Sequence, residues 1–549
     1  MRLTRRQLLA AGAAGAVVVP AGLYGARHAL RDGGVADPAP KGEFPAPDRP
    51  RDCARPANPT VAENCRPGST AWRLTRADGG IEGFFDETSV PRGAEAVLRL
   101  RTADPEYRVE VYRTGYYGDT GARLVARTPA RRAGAQPEPR ADRRRGLVSA
   151  SNWRVSERFD TADWPSGVYL AKLIGSSGSD DHAILVVRED DRPSDVLYLL
   201  SDTTYLAYNY WGGYSLYAGG DDDPRGVSVS WDRPYGNSRF GQADWYLRAE
   251  HALVRWLEAE GYDVAYAGAF DVHRHGVAGL GRRGAWISGG HNEYWSGAMR
   301  DAHERAVGQG VHLAVMAANT AYWRVRFEPD PWTGRADRVM TCFKDGEVSA
   351  TTLGPGPVRD PREPTGLWRD PEGADRPENA LLGVMYVGQD LRRYYPLQVP
   401  ADAAADPLWA RTGLAPGGAR IGRELVGWEW DAVVDNGRTP AGLRVLAATP
   451  VSGQLMGPTG RPGEGDAVAH TTAYRAPGGA LVFATGSILL SWGLDREGRR
   501  RYDPGRPQGE PDTRVQGLMR NVLGSMGARP GSPARDVRPP PAGARPGVT

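Results

Sequence analysis

From Trp72 to Val187 apolar and polar residues alternate in short runs: Ala96-Val-Leu-Arg-Leu-Arg, Tyr107-Arg-Val-Glu-Val-Tyr-Arg and Gly167-Val-Tyr-Leu-Ala-Lys-Leu, each bounded by Gly, Pro or Asp. A period of two belongs to a strand with one buried face, and turn residues at this spacing predict an all-β sandwich over residues 63–192. After Pro193 the pattern changes. Val196-Leu-Tyr-Leu-Leu is a continuous apolar run, His251 to Glu260 has helical spacing, and Tyr262-Asp-Val-Ala-Tyr again reads as a strand. Ala285-Trp-Ile-Ser-Gly-Gly, a helical stretch from Gly297 to Gln309, and Val311-His-Leu-Ala-Val-Met continue the alternation. Strands alternating with helices predict βαβ units and a buried, mostly parallel sheet over residues 193–528. Gly479-Ala-Leu-Val-Phe-Ala-Thr-Gly-Ser and Trp492-Gly-Leu-Asp predict that the sheet resumes late, whereas Asp330 to about Ala380 and Pro400 to about Gly418 are loop-rich and carry no assignable element.

The two ends read differently. Thr4-Arg-Arg-Gln-Leu-Leu precedes a weakly apolar, Ala- and Gly-rich stretch to Ala26, the pattern of a twin-arginine export signal over residues 1–30. No small-residue cleavage site follows, so a cleaved signal and an uncleaved membrane tether both stay open. Residues 31–62 are Pro-rich and polar and read as a linker, and residues 529–549, with Arg538-Pro-Pro-Pro, as a disordered tail. No later run approaches the roughly 18 apolar residues that span a bilayer.

Length and charge narrow the class. A chain of 549 residues exceeds the roughly 250 to 300 that one core supports, which agrees with two folded units. With 69 basic against 66 acidic residues there is no field to gather a polyanion, and no basic stripe argues for nucleic acid. Of three cysteines, Cys53 and Cys65 lie close enough in an exported chain to form a disulfide, and Cys342 reads as a buried or idle thiol.

Candidate chemistry gathers at strand ends, where open α/β sheets bind ligands. Gly289-Gly-His-Asn-Glu follows a strand and offers a nitrogen, His291, and a carboxylate, Glu293: a metal ligand, an acid-base pair, or a structural pair in which Glu293 caps the next helix. Thr203 to Tyr217 follows the first strand and holds five tyrosines in thirteen residues, a binding wall or packing groups. Asn319 ends another strand and could donate to an oxyanion or simply make a turn. Glu429 stands between Trp428 and Trp430, which would raise its pKa by desolvation if it faces inward with them. His273 and His275 have ligand-like spacing but read as loop residues.

These motifs make the chain resemble the N,N-dimethylformamidase large (beta) subunit-like family. The matching stretches are Tyr112-Arg-Thr-Gly-Tyr-Tyr-Gly, Trp164-Pro-Ser-Gly-Val-Tyr, Ala207-Tyr-Asn-Tyr-Trp-Gly-Gly-Tyr-Ser-Leu-Tyr, Gly290-His-Asn-Glu-Tyr-Trp and Gly427-Trp-Glu-Trp-Asp, in family order across residues 63 to 500. The resemblance implies a mononuclear ferric iron held by two tyrosines and a glutamate, placed at Tyr208, Tyr169 and Glu293, with His291, Asn319 and Glu429 as the catalytic groups around it. It also implies hydrolysis of a small-molecule linear amide and an α/β domain resembling the glutamine-amidotransferase class. The chemistry is coherent, since a phenolate is a hard donor that binds a strongly Lewis-acidic ion. Family enzymes use a small partner subunit that this chain does not supply, and a homo-oligomer stays open. Two rivals remain: an enzyme with a nucleophilic cysteine, weakened because no Cys stands at a strand-to-helix turn, and a non-catalytic extracytoplasmic protein whose aromatic loop and sandwich grip a carbohydrate or a cell-wall polymer.

Overall fold

A computed structural model describes residues 53–219, 225–235, 244–344, 365–371, 374–456, 462–497 and 510–531. The expected twin-arginine segment, residues 31–52 of the expected linker and all but the first residues of the expected tail lie outside the described residues, while the end of the expected linker enters helix Pro59–Asn64. A disulfide joins Cys53 to Cys65.

The alternating region forms two sheets. One has three strands, ordered Ile81–Phe85, Glu95–Thr102, Glu157–Asp160. The other runs Ser89–Pro91, Asp180–Arg188, Gly167–Gly175, Glu106–Thr114, Ala122–Arg127, antiparallel except for the first pair. Leu98 and Leu100 of the first sheet meet Val109, Val111, Leu173 and Leu185 of the second in one apolar cluster. Because strand side chains alternate, the intervening residues Tyr112, Val168, Leu170 and Val186 point the other way, into the largest core, beside Tyr198, Tyr246 and Leu253. The second sheet is therefore covered on both faces, which is why every residue of Gly167–Gly175 is buried.

The remaining strands build a nine-stranded sheet. Its first five members, in spatial order Val264–Gly268, Ser194–Leu200, Arg283–Gly290, His312–Ala317 and Leu481–Ala484, are parallel. Counted along the chain this is the order 2-1-3-4-5 of a doubly wound sheet, whose topological switch point falls between its first and third strands. The sheet then continues antiparallel through Pro462–Arg475, Arg444–Met456, Met385–Gln389 and Glu429–Ala432. The expectation of a mostly parallel sheet thus holds for one half alone. Arg444–Met456 and Pro462–Arg475 follow each other with five residues between them, too few for the crossover that parallel pairing needs, and they pair antiparallel.

Helices His251–Glu260 and Gly297–Gly308 lie where the periodicity places them. The first is preceded by a π-helical turn, Tyr246–Glu250, and a C-terminal helix, Thr513–Ser525, adds Val515, Leu518, Val522 and Leu523 to the main core. His273 and His275 sit on a helix, Ala269–His275, rather than in a loop; His273 Nδ1 contacts Ser296 Oγ at 2.8 Å.

Candidate active site

The first and third strands of the parallel series end side by side, and the turns that follow are stitched together. Ser201 donates to the Gly289 carbonyl at 2.9 Å, Thr203 to the Tyr294 carbonyl at 2.9 Å, and the Glu293 N–H donates to Thr204 at 3.0 Å. Gly289 and Gly290 permit this approach. A Cβ on Gly289 would collide with the Tyr198 hydroxyl, and Gly290 has φ of 66° with Glu250 Cγ 2.8 Å from where its Cβ would stand. The helix Asp202–Tyr208 then carries Tyr208 over the turn that holds His291 and Glu293.

Seven side chains converge here. His291 Nε2 lies 3.1 Å from Glu293, 3.4 Å from Glu429 and 3.5 Å from the Tyr208 hydroxyl, while its Nδ1 faces the Ala318 carbonyl at 3.2 Å. At 3.4 Å the Glu429 contact is a charge contact, and Glu429 Oε2 makes no hydrogen bond of its own. Tyr217 stacks on Tyr208 with ring centroids 4.1 Å apart and donates its hydroxyl symmetrically, 2.8 Å from each Glu293 oxygen. Tyr294 donates to the Tyr217 hydroxyl at 2.5 Å. Asn319, at φ of 52°, gives its N–H to Asp431 at 2.8 Å and hydrogen-bonds Glu429 through its side chain, leaving Oδ1 unpartnered.

Glu429 arrives from the far edge of the sheet. Its strand reaches the site because Asp431 N–H donates to the Gly486 carbonyl and Trp430 bridges Ser487, so the antiparallel half curls back over the end of the fifth parallel strand. Trp245 stacks against His291 and packs on Tyr208, and Trp428 lies 6.2 Å beyond it, closing an aromatic wall.

Charge state follows from burial. Desolvation lifts the Glu429 carboxyl to about 7, helped by Glu293 and opposed by His291. Burial disfavours the His291 cation, but Glu429 and Glu293 outweigh it and raise the imidazole to about 9. Glu293 is held below its usual value, because His291, Lys344 and the Tyr217 hydrogen bond overcome its burial. Burial and the neighbouring carboxylates push the Tyr208 and Tyr217 phenols well above 10.

Of the residues expected from sequence, Tyr208, His291, Glu293, Asn319 and Glu429 meet at this point, and Tyr169 does not. Tyr169 lies in strand Gly167–Gly175, stacked on Trp164, with its hydroxyl given to the Pro165 carbonyl at 2.5 Å. Strand alternation turns it into the core shared by the two β-sheets. The second phenol beside Glu293 is Tyr217. Glu293 is not a helix cap, since Ser296 caps Gly297–Gly308. Cys342 is buried beside Tyr294. Within the tyrosine-rich stretch Tyr205 and Tyr214 are buried, Tyr208 and Tyr217 half-buried, and Tyr210 exposed.

Sequence reading also passed over Trp245 and Lys344. Lys344 Nζ sits 3.2 Å from the Tyr217 ring centroid, and its one signal was rarity: the chain has three lysines and otherwise uses Arg. Among the described residues no three His, Cys, Asp or Glu side chains surround a common point as a metal requires, so a metal here must draw on phenols as well. The donors present suit that role: two phenols and a carboxylate form a hard oxygen set, with the Tyr217 hydroxyl 2.8 Å from each Glu293 oxygen.

A doubly wound sheet bearing a carboxylate, imidazole and phenol centre at its switch point has the form of an enzyme active site. Residues 108–504 match the family described as "N,N-dimethylformamidase beta subunit-like, C-terminal", and the chain belongs to that family. It is similar to the N,N-dimethylformamidase beta subunits of Paracoccus aminophilus, 30% identical over 312 residues, and of Alcaligenes sp., 29% identical over the same length. Each match covers 51% of this chain and 39% of the relative.

Proposed function

We propose that the protein is a metal-dependent hydrolase of a small linear amide, with ferric iron held by Tyr208, Tyr217 and Glu293. The observation that carries this reading is the symmetric approach of the Tyr217 hydroxyl to both Glu293 oxygens, with Tyr208 stacked against it and an acid-base group, Glu429, across His291. Family membership supplies the reaction class.

When bound, such an ion supplies Lewis acidity toward an amide carbonyl. The protein's own groups do the rest. Glu429, lifted to about 7, is poised to take a proton from an attacking water and return it to the departing amine nitrogen. Its Oε2, which makes no hydrogen bond and lies 3.4 Å from the His291 imidazole, is the oxygen placed to receive that proton. Asn319, held rigid by Asp431, has a second amide N–H for the developing oxyanion. In the metal-free chain His291, raised to about 9, stays charged at neutral pH and steadies the two carboxylates. Tyr208, Trp245 and Trp428 keep bulk water from one side of the site.

The test is metal analysis of the purified chain with a tyrosinate-to-iron absorption band. Wild type should carry about one iron per chain and hydrolyse simple amides, while Tyr208→Phe, Tyr217→Phe and Glu293→Gln should lose both iron and colour. Tyr169→Phe should keep them. A colourless wild type that takes up no iron after reconstitution rejects the proposal. The Arg5-Arg6 motif supports twin-arginine export of the loaded protein, which cell fractionation of wild type against an Arg5→Lys/Arg6→Lys variant would test.

A further inference from the structure

Arg233 is completely buried, and among the described residues no carboxylate pairs with it. The adjacent Asp232 is committed elsewhere, to Arg338 at 2.6 Å. The Arg233 guanidinium donates instead to three main-chain carbonyls: Nη1 to Trp211 at 2.8 Å and Tyr214 at 3.0 Å, and Nη2 to Asn209 at 2.7 Å. These three residues belong to the short excursion that leaves Tyr208 and returns with Tyr217.

That excursion is bent by Gly212 and Gly213, both with left-handed φ of 78° and 89°, and closed where Leu216 N–H donates to the Ala207 carbonyl at 3.0 Å. Its entry is held by Asn209, whose side chain donates to the Pro234 carbonyl at 2.9 Å and accepts from the Trp211 N–H at 3.0 Å. Arg233 and Pro234 thus hold the loop at its entry, and Arg233 holds it again at Trp211 and Tyr214. Burying a cation without a counter-anion is costlier than filling the same space with an apolar side chain. An apolar side chain, however, cannot collect three carbonyls onto one plane, which the rigid fork of a guanidinium does. Burial brings Arg233 down to about 9, which leaves it protonated at neutral pH.

We propose that Arg233 is a positioning residue for the phenol pair: by drawing the carbonyls of Asn209, Trp211 and Tyr214 inward, it shapes the loop that stacks Tyr217 on Tyr208 before Glu293. The inference deepens the two-phenol reading and rests on it for its functional meaning, although the loop geometry stands apart from any metal.

The experiment uses the full chain with Arg233→Met and Arg233→Lys, folding being checked by circular dichroism and thermal melting. In metal-free protein, tetranitromethane nitration of Tyr217 is followed by mass spectrometry, with chymotryptic cleavage between residues 209 and 217 as a second measure. The folded Arg233→Met variant should nitrate at Tyr217 at least tenfold faster than wild type and be cut in the loop. It should also need at least tenfold more ferric ion to develop the tyrosinate band. A folded variant with Tyr217 as protected as in wild type overturns the proposal. Should Arg233→Met fail to fold, Arg233→Lys decides by the same measures. Faster nitration in the variants together with a wild type that binds no iron would keep the loop assignment and reject the metal reading, so the two failures are distinct.

Discussion

Glu429 and His291 show how neighbouring charges divide labour in a buried site. Both are raised, but for opposite reasons: desolvation penalises the Glu429 anion, while two carboxylates favour the His291 cation despite its burial. Of the two, Glu429 is the one that changes charge near neutrality, so it is the one suited to proton transfer. Glu429→Gln should lower kcat by roughly 100-fold to 10,000-fold, the range for removing an acid-base group, with iron content unchanged. Asn319→Ala should cost about 100-fold to 1,000-fold in kcat, measured in the same amide assay. The residues behind these predictions were legible one by one, because a strand end followed by His291 and Glu293, or a carboxylate between tryptophans, is a local pattern. Tyr217 was not separable from Tyr210 or Tyr214, since all share one aromatic stretch and differ only in which way the folded loop turns them.

At the scale of elements, the site depends on two strand ends being tied together. Glu250, in the π-helical turn, accepts from the Ser201 N–H at 3.1 Å, from the Tyr198 hydroxyl at 2.9 Å and from the Tyr205 hydroxyl. Burial raises it to about 7 from 4.5. A carboxyl raised in the folded state adds stability below its unfolded value, and that stability is lost as pH climbs from 4.5 through about 7. The loss is on the order of 3 kcal/mol for a shift of this size. Glu250→Gln, which keeps the shape and removes the titration, should flatten the fall in melting temperature of the metal-free protein between pH 5 and about 8. Gly290→Ala tests the same junction. Its φ of 66° and the 2.8 Å approach to Glu250 Cγ should cost about 1–3 kcal/mol, read by chemical denaturation, and displacement of His291 should reduce activity roughly 100-fold. Strands and helices were legible here because their periodicity is strong. The π-helical turn was not, because its extra residue breaks the helical period at the place where Glu250 must point inward.

In the whole molecule, the sheet that contains Gly167–Gly175 and the helices of the nine-stranded sheet share one core. A buried ion pair spans them: Arg113 from strand Glu106–Thr114 meets Glu258 from helix His251–Glu260 at 2.8 Å, with Tyr266 and Asn64 also donating to Glu258 at 2.8 Å each. Breaking such a pair leaves an uncompensated charge. Arg113→Met should destabilise by about 3–5 kcal/mol, and the double change Arg113→Met/Glu258→Leu should recover part of that loss. Because the core is continuous, calorimetry should show the two regions unfolding together; separate transitions would contradict a shared core.

What the sequence by itself determined was local: alternation made strands, the helical period made helices His251–Glu260 and Gly297–Gly308, and glycines after a strand marked the switch-point turn. Family motifs added the kinds of side chain to look for. Tertiary structure alone decided which members of those motifs meet. Tyr169 carries the right chemistry, but strand alternation buries it between sheets, while Tyr217 reaches Glu293 because Arg233 folds its loop back. Glu429 reaches His291 because the antiparallel half of the sheet curls over the parallel half. Pairings between residues distant in sequence depend on sheet order and curvature, which no local period encodes.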